Sequence, residues 1–194
     1  MSKKLRIHHA IALLVLSPVL AELLSGSSPL LEFCNPFVAF LLFSLYGGGP
    51  IIVRELVIRW RKVFPSLITL GCAYGIIEEG IMCKSFFNPA WPDVGILGSY
   101  GRVLDVNRIW AVELTIFHAF VYITIPIVIT SSVYPEYKTR PYVTLDGLKI
   151  AFFLFCFVVT FGFIFFPYYP SPCHIFLSLI LVFILLFVAK KLPY

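Results

Sequence analysis

The chain has 194 residues, of which 60% are hydrophobic and 13% charged; that is far more apolar than a soluble domain of this size. A spanning helix takes about 20 apolar residues, so the length allows about six or seven spans and excludes a soluble catalytic domain beside them. The formal charge of +5 sits in short basic clusters between apolar runs, which is the pattern of a membrane topology signal and excludes nucleic acid as a partner.

The first apolar run covers residues 8–24. It follows a basic start but ends on Glu22, Leu23 and Leu24, with no small-residue cleavage site, and so reads as a retained span. The second run, 36–58, contains "LYGGGPIIVREL", in which three glycines and Pro50 fall near mid-membrane. Pro50 cannot donate to the preceding turn, so this helix is expected to kink or break. Backbone freed in lipid needs protein or a cavity against it, and the same glycines suit a notch for a neighbouring helix. Arg54 and Glu55 follow one turn later, as snorkelling or paired charges.

The third run, 65–86, holds "CAYGIIEEGIMCK". A charge at the bilayer centre costs at least about 2.5–3.5 kcal/mol, which makes Glu78 and Glu79 candidates for function. Gly71, Gly75, Glu79 and Cys83 recur every four residues and share a helical face. Small residues at that spacing let a second helix approach, so Glu79 should face the bundle interior. Glu78 lies about 100° round the helix, with Tyr74 and Met82. Two carboxylates this close, partly desolvated, call for a compensating cation or a shared proton.

The longest connection, 87–107, carries Trp91 and Tyr100 and is expected to lie at the interface as a short re-entrant or amphipathic segment. The fourth run, 108–133, places His118 about 15 Å below its outer end, within about 7 Å of the depth of Glu79, with Thr115 and Tyr122 on its face to orient the ring. Glu113 reads as an interface partner for Arg108. The fifth run, 147–166, includes the Phe-rich "AFFLFCFVVTFGFIFF", and the sixth, 172–190, opens on "PSPCHIFLS". The five cysteines form no CxxC pair and read as packing residues, with a Cys34–Cys173 disulfide as the one pairing to consider.

Twelve basic residues fall on one side of this arrangement, against Lys84, Arg102 and Arg108 on the other. The expected fold is therefore all-α: residues 1–194 form a single integral-membrane domain, a polytopic transmembrane helix bundle of six spans with both termini cytoplasmic, in the cell membrane. Three readings suit Glu78, Glu79 and His118: a buried polar network locking the helices, a proton or ion pathway in a carrier, or a hydrolytic site. The partners these readings imply are membrane lipid, a peptide or membrane-protein substrate, or the subunits of a larger membrane complex.

At these residues the chain resembles the CaaX protease and bacteriocin-processing family of glutamic intramembrane endopeptidases. That family carries an acidic pair followed after three residues by Arg, then a Phe-x-x-x-His helix, then a His-x-x-x-Asn or similar helix. Here Glu78 and Glu79 match the pair, with Cys83 in the Arg position and Lys84 next to it. His118 matches the second motif, with Leu114 in the Phe position and Phe117 beside the histidine. His174 and Ser178 of "HIFLS" match the third. The resemblance implies catalysis by Glu78, Glu79, His118 and His174: Glu79 activates a water that attacks a peptide carbonyl, Glu78 orients it, and a histidine stabilises the oxyanion. No metal or other cofactor is needed for that chemistry. A zinc centre on His118, His174 and a carboxylate lacks the HExxH spacing. By helical rise His174 sits about 12 Å above His118, as an interfacial histidine would.

Overall fold

The computed structural model describes residues 3–193, and side chains from residue 8 onward, so the basic cluster Lys3, Lys4 and Arg6 lies outside the described side chains. Helix α1 runs Lys3–Pro18 and passes into a π-helical turn, Val19–Leu23. After a one-turn α2, Leu30–Phe33, helix α3 runs Pro36–Arg59. Helix α4 comprises Phe64–Gly75 and a π-helical stretch, Ile76–Met82. Then come α5, Arg108–Val133, α6, Leu145–Phe165, and α7, Pro172–Lys191.

The boundaries follow local chemistry. Asn35, Asn107 and Thr144 accept hydrogen bonds from the first turns of α3, α5 and α6, and Pro36 and Pro172 occupy first-turn positions where a missing N–H does no harm. Two residues past the ends of α3 and α4 stand Arg61 and Lys84, both with positive φ, which turns the chain away from the helix.

Helices occupy all six expected apolar runs. Those of α3, α5, α6 and α7 are long and apolar enough to cross a membrane, and His8–Leu23 is a shorter apolar helix. Helix α4 carries the two carboxylates and is enclosed by α3, α5, α6 and α7. Gly71 and Gly75 make its close approach to α5: a Cβ at Gly71 would lie 2.8 Å from the Cα of Ala119, and one at Gly75 3.0 Å from the Cβ of His118. The small-residue face therefore points where the spacing predicts. Helices α6 and α7 turn most of their phenylalanines outward, with Phe153 69% and Phe183 68% exposed.

Where the sequence leaves alternatives open, the structure chooses between them. Helix α3 does not break at Pro50; it continues to Arg59 and takes a π-helical turn at Phe43–Gly47, just where Pro50 leaves a carbonyl without its donor. The notch reading holds there, since a Cβ on Gly49 would clash with the edge of the Tyr74 ring. The 87–107 connection is not a re-entrant helix; it is a 3₁₀ turn, Gly95–Gly98, and a two-residue hairpin pairing Arg102–Val103 with Val106–Asn107, tied down by Asn107 N–H donating to Phe86 O at 2.9 Å. Of the two readings for Arg54 and Glu55, the paired one holds. Both residues are buried, Arg54 lies 3.2 Å from Glu55, and Glu55 also pairs with Arg59 at 3.0 Å. Cys34 and Cys173 are both free and exposed.

Candidate functional site

Four of the helices lose α-helical winding at places that face one another: Val19–Leu23, Phe43–Gly47, Ile76–Met82 and His118–Thr124 are all π-helical. Such turns re-aim side chains and recur at functional sites. Each one contributes to a single cavity of about 990 Å³: Glu22 from the first, Tyr46 from the second, Glu78 and Glu79 from the third, His118 and Tyr122 from the fourth. The wider winding in α4 also explains why adjacent carboxylates, expected on different faces, reach the same point.

That point is the Nε2 atom of His118. It lies 3.5 Å from Oε2 of Glu78 and 3.4 Å from Oε1 of Glu79. All three residues are buried, His118 at 2% exposure and Glu78 at 1%. A second layer of groups fixes each of them. The Tyr46 hydroxyl donates to Oε1 of Glu78 at 2.6 Å. The Ser85 hydroxyl donates to Oε2 of Glu79 and accepts from the Trp110 indole N–H at 3.2 Å. Nδ1 of His118 lies 2.7 Å from the Leu114 carbonyl oxygen, which can only accept, so Nδ1 carries a proton. The ring is oriented by this carbonyl and by the edge of Tyr122 at 4.5 Å; Thr115 instead packs against Gly75.

His174 is not brought to this cluster. Its Nε2 lies 2.9 Å from Leu104 O, its ring stacks on Phe87 at 4.9 Å, and the Ser178 hydroxyl donates to its carbonyl. Two residues past Pro172, it sits in the first turn of α7 against Phe87 and Leu104, both of the 87–107 connection. Glu113 is exposed on α5. Glu22, Tyr46, Ser85 and Trp110 belong to the site without having been singled out as part of it. Glu22, the acid closing the first apolar run, carried the one visible signal; it is buried and accepts from Ser28.

The cavity wall is otherwise largely apolar, including Leu41, Leu45, Val158, Phe161 and Phe165. Glu22, Glu32, Glu78, Glu79 and Asp93 give it five carboxylates, and no lysine or arginine is among its lining residues. The arrangement can bind a cation, hold and deprotonate a water, or pass a proton between carboxylate and imidazole. No curated protein and no solved structure matches the chain. A family model does match it over residues 11–193, nearly its whole length, and the chain accordingly belongs to that family, an uncharacterized family of membrane proteins.

Proposed function

We propose that this membrane protein is a membrane-embedded hydrolase of the glutamate-dependent peptidase type that its motifs resemble. The observation carrying this reading is the convergence of Glu78, Glu79 and His118 at 3.4–3.5 Å on one wall of a cavity large enough for a peptide segment. Ser85 fixes one oxygen of Glu79 and leaves the other facing His118. In this reading Glu79 takes the proton of a water that attacks a peptide carbonyl, Glu78 orients it, and His118 stabilises the charge that develops on the carbonyl oxygen. The apolar wall lowers the local dielectric around the cluster, which strengthens those interactions. His174 has no part in the chemistry.

The same reading places six helices across the membrane with both termini cytoplasmic. Supporting it, the helix ends assigned to the basic side meet one another: Arg54 donates to Tyr137 O and Arg140 O, Arg59 to Val143 O, and Lys62 to Leu192 O. The loop residues lining the cavity, among them Ser27, Asn88, Asp93 and Pro167, all come from connections assigned to the other side, so the cavity opens outward. The polar residues of α4 face protein, which removes the need for a lipid-compatible surface on that helix.

The test is cleavage of fluorogenic membrane-proximal peptides by purified protein in proteoliposomes. Wild type is expected to cleave and Glu79→Gln to lose cleavage at an unchanged unfolding temperature. Equal cleavage by the mutant overturns the reading. The alternative, a carrier or an accessory subunit of a larger complex, draws on the exposed aromatics of α6, Phe152, Phe153 and Phe157. Copurification with a stoichiometric partner, without peptide cleavage, would favour it.

A further inference from the structure

The electrostatics of the cluster do not close with protein groups alone. With Nδ1 of His118 protonated toward Leu114, a neutral ring turns the lone pair of Nε2 toward two carboxylate oxygens. Nε2 of His118 and Oε2 of Glu78 are fully buried and make no hydrogen bond, an arrangement that costs free energy unless something positive lies between them. A second proton on the ring would supply a charge. A charge-assisted N–H to carboxylate bond, however, runs about 2.7–2.9 Å, and at 3.5 and 3.4 Å both oxygens stand well beyond that reach of Nε2.

Those distances suit a metal ion. With metal–nitrogen and metal–oxygen bonds of about 2.0–2.1 Å, two ligands of a tetrahedral site lie about 3.3 Å apart. One ligand atom from each of Glu78, Glu79 and His118 falls within 4.8 Å of the others. The surroundings also have the form of a metal site. Each ligand is fixed through its other polar atom, Glu78 by Tyr46, Glu79 by Ser85 and His118 by the Leu114 carbonyl, as outer-shell partners fix ligands in metalloproteins.

We propose that Glu78, Glu79 and His118 bind one divalent transition-metal ion through Glu78 Oε2, Glu79 Oε1 and His118 Nε2, with the remaining coordination positions facing the cavity. One imidazole and two carboxylates suit Zn²⁺, Mn²⁺ or Fe²⁺ better than Ca²⁺, which takes six to eight oxygens. The site rests on this geometry alone. Where it meets the hydrolase reading, it revises the roles there: Glu78, Glu79 and His118 would hold the ion, and the ion, in place of a glutamate base and a histidine donor, would activate the attacking water and polarise the carbonyl.

The experiment uses full-length protein in detergent, stripped with chelator and titrated with Co²⁺ and then Zn²⁺. One equivalent of Co²⁺ should bind, with a visible absorption band free of sulfur charge transfer, and Zn²⁺ should displace it and raise the unfolding temperature. His118→Ala, Glu78→Gln and Glu79→Gln should each weaken binding at least tenfold, and His174→Ala should leave it unchanged. Should those three variants fail to fold, Tyr46→Phe, which touches only the outer shell, is expected to weaken affinity about 10–100-fold. Absence of stoichiometric binding by folded wild type overturns the proposal, as does binding indifferent to these substitutions or lost with His174→Ala. A proton in place of the metal would appear as the first of these. Metal binding without peptide cleavage would remove the hydrolase reading and keep the site; cleavage by chelated, metal-free protein would do the reverse.

Discussion

Tyr46 and Glu78, thirty-two residues apart in the chain, meet at 2.6 Å where the π-helical turns of α3 and α4 face each other. The hydroxyl holds one oxygen of Glu78 and so turns the other toward His118. Tyr46→Phe keeps the ring and its edge contact with Tyr122 but leaves a buried carboxylate oxygen without its donor. The expected loss is about 1–3 kcal/mol of stability, read by thermal unfolding in detergent, together with a fall in any peptide cleavage. A variant as stable and as active as wild type would show that the pair is incidental.

The extent to which this arrangement was legible in the sequence follows from its physics. Helix positions were legible because Pro36, Asn35, Asn107, Thr144 and Pro172 act locally, on their own first turns. The acid pair and His118 stood out because charges inside apolar runs are costly wherever the helices end up. The π-helical turns were not legible, since an i to i+5 hydrogen bond is chosen by what packs against the turn, and Glu78 and Glu79 reach the same atom from within one of them. Nothing in the sequence sets Tyr46 and Trp110 apart from other aromatics of an apolar run, because their polar tips acquire partners only through packing. His174 illustrates the opposite error: a motif match in chain order placed it in the site, whereas its neighbours Phe87 and Leu104 hold it elsewhere.

The approach of α4 to α5 gives a steric test. A methyl group at Gly71 would lie 2.8 Å from the Ala119 Cα, and backbone cannot rotate away. Gly71→Ala is therefore expected to push the helices apart and cost about 1–3 kcal/mol, while Gly48→Ala, whose nearest neighbour would be 3.6 Å away, should be nearly neutral. Unfolding temperatures of the two variants, measured side by side, settle the comparison; equal values would mean that the α4–α5 contact is looser than this.

Glu55 anchors the end of the bundle away from the cavity. Fully buried, it pairs with Arg54 and Arg59 and accepts the Tyr142 N–H at 2.6 Å, and Arg54 in turn lies over the Tyr142 ring at 3.1 Å and donates to two loop carbonyls. Glu55→Ala leaves the buried Arg54 guanidinium without its carboxylate, at an expected cost of about 3–5 kcal/mol. The 134–143 connection should lose hydrogen-exchange protection before the cavity residues do. Uniform loss of protection would indicate that the two ends of the bundle unfold as one unit.

Lys84 joins α4 to the far end of α6. Its ammonium donates at 2.6 Å to both Phe163 O and Phe166 O, between the rings of Phe163 and Tyr169, with the side chain fully buried. A cation there complements the carbonyl end of the α6 dipole. Its backbone stands at φ +61°, a conformation that costs a non-glycine residue about 1–2 kcal/mol. Two substitutions separate these effects. Lys84→Ala loses the donors and keeps the backbone strain, and should destabilise by about 2–3 kcal/mol. Lys84→Gly loses the same donors and relieves the strain, so it should be the more stable of the two by about 1 kcal/mol, against the usual order of alanine over glycine. Thermal unfolding of both variants reads the difference, and an alanine variant more stable than the glycine one would show that this turn relaxes out of the left-handed region once the ammonium is gone.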